Sequence, residues 1–177
     1  MLLLSDIKKH PQGISFQEEL DISAAIMQRH KDIRAITKPL VEGFVRYENG
    51  LYLLQYHMSY TITLPSSRSM VDVPLPFSED VQELFIEAAE SQARADMVEE
   101  NLVMILESDQ IHLVDSVIDN ILLNIPLQVL STAEEASDVL PSGQDWTVMT
   151  ENQYQSLKAA KEAANNPFAS LEGMFDE

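Results

Sequence analysis

Apolar residues occupy every second position from Tyr52 to Leu64 (Tyr52, Leu54, Tyr56, Met58, Tyr60, Ile62 and Leu64), a run of thirteen residues. Period two is the signature of a strand with one buried face. Thirteen residues span roughly 43 Å at about 3.3 Å per residue, well beyond the usual strand of about 5–6 residues. Immediately upstream, Glu48-Asn49-Gly50-Leu51 carries the Asn-Gly pair that a two-residue type I′ turn requires, since both central residues need φ > 0. The stretch Leu40–Leu64 therefore predicts a long β-hairpin. Its register places Tyr47 opposite Tyr52, Val45 opposite Leu54, Gly43 opposite Tyr56 and Val41 opposite Met58 on the apolar face. The other face sets Arg46 against Leu53, Phe44 against Gln55, Glu42 against His57 and Leu40 against Ser59. A slip of one residue would bury Glu42 and Arg46, so turn chemistry and apolar pattern select the same pairing. A strand this long must coil. The predicted class is α+β: a strongly twisted, partly closed antiparallel sheet built on the hairpin, with a few packed helices and a helical C-terminal tail.

The remaining pattern fills in around that hairpin. Ile14–Leu20 alternates as a short strand, and Asp21 is the expected N-cap of a helix over Ile22–His30. After the turn Pro65-Ser66-Ser67-Arg68-Ser69, the residues Val71, Val73, Leu75 and Phe77 share a strand face. Pro74 and Pro76 on the other face make this an edge or bulged segment, with Val81–Ile86 resuming after Ser78-Glu79-Asp80. Glu87–Glu100 reads as an exposed loop or short helix, and Leu102–Leu106 as a short buried strand. Val114, Val117, Ile118, Ile121 and Ile125 predict a helix over Leu113–Asn124 that Pro126 stops. Leu127–Leu130 is expected as a closing strand and Ser131–Asp145 as an acidic loop. Thr150 with Gln153 forms a capping-box pattern for a helix over Glu151–Ala164. Phe168, Leu171 and Phe175 then make a helical stripe. Residues 1–150 are expected as one domain, with 151–177 as a helical extension.

At 177 residues the chain can bury a sizeable core. No apolar run approaches the ~20 residues of a membrane span, and Met1-Leu2-Leu3-Leu4 lacks the basic flank of a signal peptide. The chain has no cysteine, which excludes disulfides and thiolate chemistry and fits a cytoplasmic location. Net charge is −18, unevenly placed. Residues 1–68 hold eight of the eleven basic residues against seven acids, and the remaining three face twenty-two acids. Nucleic acid repels such a molecule, because its affinity comes mainly from neutralised phosphates. Only the N-terminal third suits RNA, while the acidic remainder suits a basic partner.

Nothing in the sequence marks a reaction centre. His10, His30, His57 and His112 are scattered, and a metal site needs three or four convergent ligands. His57 opposite Glu42 reads as a cross-strand polar pair. Ser66, Ser67 and Ser69 cluster without the glycine elbow of a nucleophilic serine. The expectation is no enzyme activity, no cofactor, no metal and no small-molecule substrate. Arg34, Lys38, Arg46 and Arg68 are candidates for a basic patch near the hairpin. Tyr47, Tyr52, Tyr56 and Tyr60 are core residues by their alternation rather than a base-stacking platform.

The succession of features resembles the YceD family, which takes its name from accumulation of large-subunit ribosomal RNA, and in particular its Gram-positive branch. The residues that carry the resemblance are Val41-Glu42-Gly43-Phe44-Val45, Leu64-Pro65-Ser66-Ser67-Arg68-Ser69, Ile111-His112-Leu113, Ile121–Pro126 and Pro141-Ser142-Gly143-Gln144-Asp145-Trp146. Many members carry cysteines where this chain has Ser66 and Ser69, and again along Ser131–Asp145, so no metal role carries over. The resemblance implies a factor for 23S rRNA accumulation and 50S biogenesis that binds a ribosomal protein or rRNA of the pre-50S particle. The alternative is an acidic protein-binding adaptor unrelated to ribosomes. Candidate contacts are Arg34, Lys38, Arg46, Ser66, Ser67, Arg68, Asp145 and Trp146.

Overall fold

The computed structural model describes residues 2–100, 102–135, 143 and 147–164. In chain order these form β1 (Leu2–Leu3), α1 (Leu4–Lys9), β2 (Ile14–Glu19), α2 (Ser23–Arg29), β3 (Ala35–Ile36), β4 (Leu40–Glu48), β5 (Leu51–Pro65) and β6 (Asp72–Glu87). A 3₁₀ turn over Ser91–Arg94 leads to α3 (Ala95–Glu99), β7 (Met104–Leu106), β8 (Gln110–Ile111), α4 (Leu113–Leu123), α5 (Thr132–Glu135) and α6 (Glu151–Ala164). The chain divides into two compact units, Met1–Leu130 and Ser131–Glu177.

The hairpin forms as the sequence predicts. Asn49 and Gly50 have φ of 52° and 84°, and the β4–β5 register pairs every residue as expected, from Glu48 with Leu51 to Leu40 with Ser59. Burial alternates strictly along β5. Around the hairpin the sheet runs β2-β4-β5-β6-β7, with β3 pairing the far end of β5. It is an α+β sheet, antiparallel except where β7 runs parallel to β6, and it is not closed into a barrel. Its apolar face joins Leu4 and Ile7 of α1, Ile22 and Ile26 beside and within α2, and Val117, Ile118 and Ile121 of α4 in one core cluster. Each such side chain, fully buried, contributes about 1.5–3 kcal/mol.

Several expectations shift. β6 is one strand of sixteen residues paired with β5 from Asp72 to Ile86, so Ser78-Glu79-Asp80 does not interrupt it. Pro74 and Pro76 are accommodated because β7 pairs only with Phe85–Glu87, leaving the outer side of β6 open at the prolines. Leu102–Leu106 is not a buried strand: Met104 and Ile105 are exposed, and Val103 alone is buried among the described residues of that stretch. Leu127–Leu130 is not a strand either. Ile22, not Asp21, is the N-cap of α2, and the Asp21 carboxylate accepts from the Ser23 hydroxyl instead. On α4, Val114 faces outward and Leu113 takes its place in the core.

Candidate partner-binding surface

Two strands as long as β5 and β6 must be joined by a turn that satisfies its own backbone. Ser66-Ser67-Arg68-Ser69 does so with hydroxyls. Ser66 is fully buried, and its Oγ accepts from the amides of Arg68 (3.0 Å) and Ser69 (3.3 Å). The amide of Ser66 donates to the Val71 carbonyl (2.8 Å), and Met70 takes a left-handed φ of 62° to close the turn. Ser67 faces the other way. Its amide donates to the Val129 carbonyl (2.7 Å), and its Oγ accepts from the Val129 amide (3.0 Å), tethering the segment after α4 to the turn. Between turn and segment lies a groove of about 620 Å³, lined mainly by Leu64, Pro65, Met70, Leu122, Leu123 and Leu127, with His30 and Asp32. The His30 Nδ1 is buried with no hydrogen-bond partner among the described residues. Met70, Leu123 and Leu127 project into solvent.

The structure brings only part of the predicted patch together. Arg34 precedes β3, its amide bound to the Thr63 carbonyl, and its guanidinium lies 3.9 Å from Asp72 beside the Ser66 turn. Lys38 sits 3.5 Å from Asp21, where the Ser23 hydroxyl, and then Lys38, hold the Asp21 carboxyl below its usual range. Arg46 pairs with Glu48 (3.3 Å). Its register partner Leu53 is twelve residues along β5 from Pro65, about 40 Å at the strand rise. Arg46 and Arg68 therefore do not share a patch. Asp145 and Trp146 lie outside the described residues. Among the described residues, six of the eight basic side chains of the N-terminal third (Lys8, Lys9, Arg29, Arg34, Lys38, Arg46) stand in ion pairs.

Tyr52, Tyr56 and Tyr60 are buried in the core, and burial pushes all three phenols above their ordinary range. Tyr56 instead helps seat α4: its hydroxyl lies 2.8 Å from Ser116 Oγ, and Ser116 and Asn120 donate to Glu83 (2.6 and 2.7 Å). At the hairpin tip, Lys8 pairs with Glu87 (2.6 Å) and lies 5.2 Å from the ring centre of Tyr47. The bond to Glu87 raises the Lys8 ammonium pKa, and Lys8 followed by Tyr52 lowers the Glu87 carboxyl. These clusters hold elements to the sheet.

One arrangement escaped the sequence reading. His57 does lie opposite Glu42, but its ring bonds to β6: Nδ1 to Asp80 (2.9 Å) and Nε2 to the Ser78 hydroxyl (3.1 Å). Alternate positions on β6 put both partners on the solvent face beside His57, a juxtaposition visible only once the β5–β6 register is known. Ser78 sits mid-strand, without the strand-to-helix turn that presents free amides to an oxyanion, and Asp80 is almost wholly exposed. Among the described residues no group of three or more His, Asp or Glu converges as a metal site, and no helix is long and apolar enough to cross a membrane.

The surface beside the β5–β6 turn thus combines a hydroxyl-locked turn, an apolar groove and paired charges. Over 141 residues the chain is 32% identical to YlbN, an uncharacterized protein of Bacillus subtilis (strain 168), covering 79% of this chain and 78% of that protein. No solved structure matches. The family model described as large ribosomal RNA subunit accumulation protein YceD matches residues 54–175, from the second hairpin arm to the C-terminal segment. The chain belongs to the YceD family.

Proposed function

We propose that this protein is a non-enzymatic, cytoplasmic factor that supports 23S rRNA accumulation and assembly of the large (50S) ribosomal subunit, acting by contact with a basic ribosomal protein of the pre-50S particle. The family match over residues 54–175 carries this reading. A protein rather than RNA contact is favoured by charge. The net charge is −18, and most basic side chains of the N-terminal third already face carboxylates, leaving little to neutralise phosphates. The apolar groove beside the Ser66 turn supports a contact role over a reaction cleft. The test is depletion of the protein in growing cells with measurement of 23S rRNA and subunit profiles, alongside sedimentation of a tagged copy. Reduced 23S rRNA and migration with pre-50S particles are expected. Unchanged rRNA and subunit profiles, with the tagged copy at the top of the gradient, would refute the proposal.

A further inference from the structure

The six-stranded sheet ends on β2 at one side and β7 at the other. An open edge presents unpaired N–H and C=O groups, and native sheets usually guard it with charge, proline or cover. The β2 edge is guarded: Ser15, Gln17, Glu18 and Glu19 are all exposed on it. The stretch of β6 beyond β7 carries Pro74 and Pro76. The three residues of β7 itself carry neither charge nor proline. Met104 and Ile105 are 45% and 44% exposed, and Leu102 just before them is 55% exposed. Among the described residues, the backbone of β7 pairs only with β6. In the chain on either side of β7 come Asp96, Glu99, Glu100, Glu107 and Asp109, all exposed, with no Lys or Arg between positions 96 and 109. None of the five forms an ion pair among the described residues.

We infer that β7 is a docking edge for an extended, Lys/Arg-rich segment of a partner protein, which adds to the sheet as a further strand. Main-chain bonds to Met104–Leu106 hold the segment, its apolar side chains cover whichever of Met104 and Ile105 shares their face of the sheet, and its cations meet the acids that flank the strand. Charge selects this occupant over the others. A second copy would set the same acids against one another, and nucleic acid would meet like charge. The inference rests on the basic-ribosomal-protein reading above and names the kind of segment that reading leaves open.

The test uses the full chain and a fluorescent synthetic peptide of alternating Lys and Val. A second peptide of identical charge carries N-methyl groups on alternate backbone nitrogens, and an oligouridylate serves as third probe. Fluorescence anisotropy should show the alternating peptide binding at least about tenfold more tightly than the N-methylated one, with no binding of oligouridylate. Amide exchange at 104–106 should slow in the complex. Ile105→Lys, and separately Met104→Lys, should weaken peptide binding about tenfold while the thermal midpoint stays unchanged. Equal binding of the two peptides, protection elsewhere in the chain, or concentration-dependent self-association through this edge would overturn the inference. The wild-type exchange experiment decides even if a variant misfolds. Peptide binding that fails while the tagged protein still sediments with pre-50S particles refutes the docking edge alone, whereas loss of that sedimentation refutes the functional reading.

Discussion

Gly43→Ala is the sharpest test of the hairpin. Gly43 lies on the apolar face opposite Tyr56, and its need is space. A Cβ there would stand 2.1 Å from the Gln55 carbonyl oxygen and 2.6 Å from both Cα and Cβ of Tyr56. These are backbone or backbone-proximal atoms that no rotamer change can move, so β4 and β5 must part by roughly 1 Å to restore contact. Overpacking costs about 1–3 kcal/mol, and two strained ladder bonds add about 1 kcal/mol each. Alanine recovers about 0.5–1 kcal/mol of strand preference over glycine. The net destabilisation is then about 2–4 kcal/mol, a large part of a typical 5–15 kcal/mol, and the melting temperature should fall by about 10 °C. Gly50→Ala is the contrast. Its φ of 84° makes alanine strained, but the nearest atom is the mobile Glu90 carboxylate at 2.6 Å, so the cost is about 1–2 kcal/mol. Urea and thermal denaturation followed by far-ultraviolet circular dichroism give both values. A Gly43→Ala protein within about 0.5 kcal/mol of wild type, or more stable than Gly50→Ala, would refute the strand packing described here.

Stability should decline in alkali. Burial holds the phenols of Tyr52, Tyr56 and Tyr60 above their ordinary range, and Glu87 does the same for the Lys8 ammonium. Unfolded chains lose these protons first, near pH 10, so the contribution is full below that pH and is lost as pH rises toward the folded values. A urea midpoint that stays flat from about pH 9 to about pH 11 would contradict the buried tyrosine face. Glu87 behaves oppositely: its lowered pKa adds stability above about pH 4.3 that disappears as pH falls through the folded value. Glu87→Gln should cost about 0.5–1 kcal/mol at neutral pH, screened because Lys8 is partly exposed, and should flatten the acid limb of the stability profile. In the second unit, Thr150 Oγ1 accepts from the Gln153 backbone amide and Gln153 Oε1 accepts from the Thr150 backbone amide. Thr150→Ala should cost α6 about 1 kcal/mol, read as lost helical circular dichroism.

The sequence was most legible where local chemistry and apolar period agreed. Asn49-Gly50 set the turn and the β5 alternation set the faces, so the hairpin register followed with no knowledge of the rest of the fold. The capping box at Thr150 was equally local, and Ser131 with Glu134 shows the same pattern at α5, a signal available in Ser131-Thr132-Ala133-Glu134. Of the candidate contacts, the Ser66–Arg68 turn could be located, but the fate of each side chain could not. Ser66 is buried inside its own turn, and Arg46 is remote from Arg68 along β5.

Periodicity and turn residues, then, determined which side chains face each other across neighbouring strands, because those contacts are fixed by backbone geometry within a few residues. Tertiary structure decided which strands end the sheet. Leu102–Leu106 has the composition of a core strand, yet it lies on an edge with Met104 and Ile105 exposed. An apolar run reads the same whether its second neighbour is protein or water, and only the long-range pairing of β6 with β5 and β7 assigns that neighbour. The same pairing placed Ser78 and Asp80 beside His57, and the long-range Ser67–Val129 bonds tied the Ser66 turn to the segment after α4.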